Sequence, residues 1–236
     1  MMPQDLPSGY EGLRVGFTAA VSHELRTPLA RLLSLLDTAK LPGADVQELI
    51  EAACDEVVEM TQLVDDILFL SELEQGREVV ALGFTELAPY VDSLFEDNRE
   101  RALRAELSLE HDVPAGIAVP MRPRMLRVLL GNLLDNALRY AGRGATFRVV
   151  ARLERGNVVL EVSDDGAGVD ASDVPRLFER FFRSDRSRTT RGTGLGLAIV
   201  KHIVGAADGT AEVEGALGEG TRFRFVLPAP RGARLI

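Results

Sequence analysis

Three clusters of polar residues and glycines stand in the second half of this chain, and one histidine box stands in the first. Asn132, Asn136 and Tyr140 fall at i, i+4 and i+8 with leucines between them, so on a helix they share one face while the leucines turn inward. Neutral amide oxygens are hard ligands, suited to a Mg²⁺ that also keeps water and phosphate oxygens, and a Tyr ring can pack against a purine. Asp164-Asp165-Gly166-Ala167-Gly168 follows a strand pattern. A carboxylate held there can accept a hydrogen bond from an adenine amino group, and the glycines let the backbone approach a flat base. Arg191-Gly192-Thr193-Gly194-Leu195-Gly196-Leu197 runs into an apolar helix, exposing backbone amides and a helix N-terminus where a triphosphate can sit. The Lys-Ser/Thr pair of a Walker loop is missing. Taken singly, the first cluster also fits a solvated helix face and the second an Asp-Gly turn.

His23 lies in Ser22-His23-Glu24-Leu25-Arg26-Thr27-Pro28-Leu29. A neutral imidazole is a competent nucleophile toward a γ-phosphoryl group, and the adjacent Glu24 carboxylate can take or orient the ring proton. Thr27, one turn on, can hydrogen-bond a water near the same point. With Val21 and Leu25 on an apolar seam, the heptad count turns His23 outward. His111 and His202 have no comparable surroundings and read as structural or solvated.

The elements that must carry these groups fall into two blocks. From Leu13 to Glu74 apolar residues recur at alternating steps of three and four: Val21, Leu25, Pro28, Leu32, Leu35 and Ala39, then Val46, Ile50, Ala53, Val57, Met60, Val64 and Ile67. Leu41-Pro42-Gly43 breaks the run and Asp45 is placed to cap the second helix, so a helical hairpin is expected over residues 10–75. Pro28 should loosen or kink the first helix just after His23. Two helices leave much apolar surface uncovered, and dimerisation into a four-helix bundle would cover it. After Gln75-Gly76-Arg77 the pattern changes, and a second domain is expected over residues 79–230. Strand patterns at Thr146–Leu153 and Asn157–Ser163, and a strand pair over Thr210–Val226 around Gly218-Gly220, alternate with helical ones at Leu87–Ala105, Met121–Tyr140 and Leu195–Ala206. The mixture predicts an α+β sandwich with helices on one sheet face.

In order and separation, the three clusters resemble the asparagine and glycine boxes of the ATP-binding superfamily shared by histidine kinases, gyrase, mismatch-repair and Hsp-type chaperone ATPases, with its Bergerat-type fold. Leu177-Phe178-Glu179-Arg180-Phe181-Phe182-Arg183 is similar to the family's phenylalanine box, and Gly218-Glu219-Gly220-Thr221-Arg222-Phe223 to its closing strand. The His23 box resembles the phosphoacceptor box of orthodox sensor histidine kinases. The resemblance implies ATP and Mg²⁺ as cofactors, with Asn136 holding the metal, Asn132 on phosphate, Asp164 on adenine, and Gly192, Gly194 and Gly196 as the hinge of a lid over residues 184–191. The implied nucleotide set also includes Arg139, Tyr140, Gly166, Gly168, Leu195, Leu197 and Thr221. His23 would be phosphorylated, assisted by Glu24, with Arg183 on the γ-phosphoryl group. The phosphoryl group would then pass to a response-regulator aspartate, and Thr27 would support the regulator's dephosphorylation. Asp208-Gly209-Thr210, where related kinases often carry paired glycines, departs slightly. Rival readings are another ATPase of the superfamily, which the His23 box opposes, and a dimeric scaffold that binds nucleotide only to switch.

Composition bounds the rest. The chain has 236 residues, 46% of them hydrophobic, enough for ordinary cores. A formal net charge of -9 argues against nucleic acid as partner, because phosphate-backbone binding draws its affinity from basic surfaces. The single cysteine, Cys54, cannot form an internal disulfide and reads as core filler in a reducing compartment. A cytosolic location is expected, with any membrane attachment through an N-terminal sensor region of a longer, membrane-anchored parent.

Overall fold

The computed structural model describes residues 8–75, 83–184 and 192–230, with residues 8–20 as backbone alone. Two compact units emerge, one built on residues up to Ile67 and the other on most of the chain from Leu68 onward. The expected junction at residues 76–79 lies outside the described residues.

In the first unit, α1 (Ser8–Thr38) and α2 (Val46–Glu74) as far as Ile67 form the hairpin. Asp45 caps α2 by accepting the Glu48 amide at 3.1 Å. The α1 seam Val21, Leu25, Pro28, Leu32, Leu35 and Ala39 is half-buried, as its spacing predicts. On α2 the inward face is Leu49, Ala53, Glu56, Met60, Leu63 and Ile67, again in steps of four and three, with Ala53, Glu56 and Leu63 fully buried. The expected α2 seam overlaps it only in part. Val46, Ile50, Val57 and Val64 are 42–49% exposed and lie about 100° round the helix from that face. Leu29, Leu33 and Leu36 make a matching exposed row on α1. Cys54, expected in the core, is exposed, because it sits one residue past Ala53 and its helical phase turns it away from α1. The helix runs through Pro28 unbroken; what the proline removes is the one N–H that would bond the Glu24 carbonyl.

The second unit is an α+β sandwich. Five strands run in the order β2 (Ser108–Asp112), β4 (Thr146–Glu154), β5 (Asn157–Asp164), β7 (Thr221–Pro228), β6 (Thr210–Gly215), all antiparallel neighbours except the parallel β2–β4 pair. A short antiparallel pair, β1 (Thr85–Glu86) with β3 (Ala118–Val119), stands apart. Alternation sorts the sheet's two faces. Phe147, Val149 and Ala151 of β4, Val158, Leu160 and Val162 of β5, and Phe223, Phe225 and Leu227 of β7 are buried with the inner faces of α5 (Pro123–Tyr140) and α6 (Gly196–Ala206). Opposite them run cross-strand ion pairs, Arg152–Glu161 at 2.9 Å and Arg224–Glu212 at 3.2 Å. The helical stretch expected over 87–105 divides at Asn98 into α3 (Leu87–Asp97) and α4 (Arg99–Ala105). Arg155 and Gly156 both take positive φ, 50° and 83°, which is the hairpin turn their position predicts. Asp208 also sits in the left-handed region, φ 55°, a conformation Asp tolerates better than most side chains, so the departure from paired glycines leaves the entry to β6 intact. Among the described residues no helix is long and apolar enough to cross a membrane.

Candidate functional site

The site is assembled at one end of the sheet from the loop after β5, the polar face of α5 and the start of α6. On α5 the buried residues Leu126, Leu129, Leu130, Leu133 and Leu134 fix the helix's rotation and leave Asn132, Asn136 and Tyr140 half-exposed together on a neighbouring face. Asn132 donates from Nδ2 to the Val128 carbonyl at 2.8 Å, which directs Oδ1 away from its own helix. That oxygen meets Gly196, the first residue of α6: a Cβ built on Gly196 would lie 2.4 Å from Asn132 Oδ1. A side chain there would have to push Asn132 aside, so glycine at 196 lets the asparagine cluster and the second glycine cluster sit in contact. Leu195 beside it is fully buried and anchors the helix start; Leu197 is half-buried and Arg139 is exposed.

Asp164 ends β5, opposite Thr221 in the ladder with β7. Its Oδ1 accepts the Gly166 amide at 3.1 Å. Burial pushes the Asp164 carboxyl above the usual carboxylate range and the charge of Asp165 adds to this, while hydrogen bonds from the Gly166 and Thr221 amides oppose it. The glycines around it are where backbones meet. A Cβ on Gly166 would lie 2.2 Å from the Ala141 carbonyl oxygen, one on Gly168 1.9 Å from that of Ala216, and one on Gly220 1.9 Å from that of Asp164 itself. The Ala167 amide donates to Ala141 at 2.8 Å, tying the loop to the end of α5. Sequence reasoning missed Ala141 and Ala216, which contribute only backbone and carry no side-chain signal.

The phenylalanine stretch follows a 3-10 turn, Val174–Arg176. Phe178 packs edge-on against Phe223 with centroids 6.2 Å apart, and Arg176 lies over the Phe182 ring at 4.3 Å. Phe181 has φ 60° and donates its amide to the Gly194 carbonyl at 2.9 Å, so this box and the second glycine box are stitched backbone to backbone. Arg183 is half-buried just beyond. Gly192 opens the second glycine box, and of the expected lid, residues 185–191 lie outside the described residues.

On α1, His23 and Thr27 are exposed and Glu24 is half-buried. The Thr27 hydroxyl donates to the His23 carbonyl at 3.3 Å, leaving its lone pairs for an outside donor. His111, read from sequence as structural or solvated, meets Asp92 at 2.9 Å and packs edge-on against Phe95.

Comparison with known proteins follows the same division. Residues 13–76 match the family described as His Kinase A (phospho-acceptor) domain, and residues 121–231 match the Histidine kinase-, DNA gyrase B-, and HSP90-like ATPase family. Sensor-like histidine kinase SenX3 of Mycobacterium tuberculosis is 34% identical over 225 residues, covering 93% of this chain and 55% of the relative. Sensor histidine kinase CusS of Escherichia coli is 35% identical over 218 residues, covering 90% of this chain and 45% of the relative. The chain thus spans about half the length of the curated relatives it matches. Among solved structures, Acinetobacter baumannii histidine kinase AdeS superposes with a TM-score of 0.70 at 26% identity, covering 87% of this chain and 97% of that one. Histidine kinase ThkA, solved in complex with response regulator protein TrrA, shares the fold with a TM-score of 0.72 at 19% identity, covering 96% of this chain and 66% of that one.

Proposed function

The chain belongs to the sensor histidine kinase family, and from that premise we propose that it phosphorylates its own His23 from ATP and passes the phosphoryl group to an aspartate of a receiver domain. The observation that carries this reading is the pairing of an assembled nucleotide end, where Gly196 abuts Asn132 and Gly166 donates to Asp164, with an exposed His23 flanked by Glu24.

Asp164, ionised, accepts the adenine amino hydrogen, and the close-set glycines let the base lie against backbone. Asn132 and the amides opening α6 hold phosphate oxygens. The amide donor set of α5 fits Mg²⁺, with Asn136 as protein ligand; bound there, the metal neutralises charge on the triphosphate. Arg183 contacts the γ-phosphoryl group. A nitrogen of the neutral His23 ring attacks phosphorus as the bond to the ADP oxygen breaks, and Glu24 takes the ring proton. The receiver's aspartate then displaces the imidazole. A water held by Thr27 serves the reverse task, hydrolysis of the receiver's acyl phosphate. These are largely positioning and electrostatic tasks, which dominate phosphoryl transfer.

The working unit in this reading is a homodimer. The exposed rows Leu29, Leu33, Leu36 and Val46, Ile50, Val57, Val64 lie on one side of the hairpin. Covering a half-exposed residue of this size gains roughly 1 kcal/mol, so seven together favour association strongly.

The test is incubation of the purified chain with γ-labelled ATP and Mg²⁺, beside His23→Ala. Acid-labile, base-stable label that disappears in the variant, with ATP binding retained, is the expected result. Label persisting on His23→Ala would overturn the assignment, and absence of label despite ATP binding would leave a nucleotide-driven switch.

A further inference from the structure

Five of the six residues on the inward face of α2 are apolar, and the sixth is Glu56. Its burial is nearly complete, at 5% exposure, yet its carboxylate is poorly served. Among the described residues the buried Oε2 has no hydrogen-bond partner, and Oε1 is 3.7 Å from Nη1 of Arg31, whose side chain is 57% exposed. A buried carboxylate needs close partners for both oxygens to offset the loss of water, and a long contact to a solvated guanidinium does not supply them. On the facing helix, Pro28 lies three residues before Arg31 and removes the N–H that would close a turn at Glu24. The same stretch of α1 is therefore weakened twice: along its own backbone by Pro28 and across the seam by Glu56. Arg31 lies eight residues beyond His23, about 12 Å along the helix axis.

We propose that Glu56 is a built-in weak layer of the hairpin, which lets α1 shift against α2 directly below the phosphoacceptor histidine. An apolar residue at this position would complete the seam and hold the two helices in one register. With the carboxylate there, two arrangements of α1 lie close in energy, and a small input to the helix selects between them. The consequence for output rests on the kinase reading above; the looseness itself does not.

The experiment compares the full chain with its Glu56→Met, Glu56→Gln and Arg31→Met variants. Glu56→Met, close in volume and uncharged, should raise the urea midpoint and slow hydrogen exchange of the α1 amides over residues 29–36 roughly tenfold. It should also change the ratio of His23 autophosphorylation to receiver dephosphorylation roughly fivefold, with ATP affinity unaltered. Glu56→Gln, which keeps the shape and adds a donor, should move each quantity the same way by less. Arg31→Met, which leaves the carboxylate with no cation, should speed exchange over the same amides. A lower midpoint or unchanged exchange in Glu56→Met would show that the layer is not weak, and slowed exchange with an unchanged ratio would show that the weakness is unused. Should the parent chain not label at His23, the kinase reading fails, and the exchange data still decide the weak layer.

Discussion

The two units bury their apolar residues to different degrees. In the α+β unit the leucines of α5 and the inward residues of β4, β5 and β7 are almost wholly removed from solvent, and its polar groups stand where the packing fixes them. Among the described residues of the hairpin up to Ile67 the only buried apolar side chains are Ala53 and Leu63, with Glu56 and Asp66 buried beside them, and two apolar rows remain half-exposed. Helical spacing alone does not distinguish these cases, since both follow steps of three and four. What differs is the number of layers: a sheet covered by helices closes its core, whereas a pair of helices has an open side. The nucleotide end therefore rests on a core complete within one chain, and the histidine rests on helices whose packing calls for a second copy.

Substitutions that strike one unit should leave the other intact, and the largest effect is expected at Asn136, the amide proposed to hold the metal. Asn136→Ala should lower the autophosphorylation rate roughly 10²- to 10³-fold, the scale of losing one preorganised charge-stabilising group. Self-association through the hairpin should be unchanged, as sedimentation would show. In the opposite sense, Ile50→Glu places a charge on the exposed row, where a partner's apolar surface would have to dehydrate it. It should convert dimer to monomer at micromolar concentration while titration with a fluorescent ATP analogue gives the parent affinity. A monomeric parent, or an Ile50→Glu dimer, would end the claim that the open side is an interface.

Much of this was legible in the sequence because the informative residues are local. The strand pairs around Arg155-Gly156 and Gly218-Gly220, the cap at Asp45 and the shared face of Asn132 and Asn136 follow from neighbours a few positions apart. What escaped depends on distant chain. β2 pairs in parallel with β4, some forty residues on, and SLEHD has no alternation to announce it. Cys54 reads as core filler, yet the inward position is its neighbour Ala53, because the spacing suggests one apolar seam where α2 has two overlapping ones. The fit of Gly196 against Asn132 and of Gly220 against Asp164 could not be read either, since a glycine's sequence context says that something is close and not what.

Asp164 gives a milder test, which joins stability to binding. Burial raises its pKa in the folded protein, so the fold holds this proton more tightly than the unfolded chain does. The favourable contribution of the protonated form is fully present below the unfolded value and is lost as pH rises through the raised folded one. Above that range the ionised carboxylate is a cost to the nucleotide-free fold, which the proposed reading explains by adenine's need for an acceptor. Asp164→Asn should unfold at a slightly higher temperature at pH 7 without nucleotide and yet bind ATP more weakly. In the parent, ATP affinity should fall as pH is lowered through the raised carboxyl value, and in the variant that part of the pH dependence should vanish. A variant less stable than the parent at pH 7 would show that the hydrogen bonds from Gly166 and Thr221 outweigh the burial.

The smallest expected effect separates two glycines beside the same asparagine, Gly131 next to it in sequence and Gly196 against it in space. A Cβ on Gly196 would fall on Asn132 Oδ1 and displace that side chain; Gly131, inside α5, would meet nothing within 4 Å. Backbone entropy then decides the second case, and Gly131→Ala should stabilise the protein by about 0.5–1 kcal/mol, a rise of a few degrees in Tm. ATP affinity should be unchanged, because an added methyl there touches neither Asn132 nor α6. Gly196→Ala should reverse both signs, pushing Asn132 out of place and weakening nucleotide binding. If Gly131→Ala instead lost ATP affinity, α5 would be shown to move when nucleotide binds, and the rigidity assigned to this unit would hold only for its nucleotide-free form.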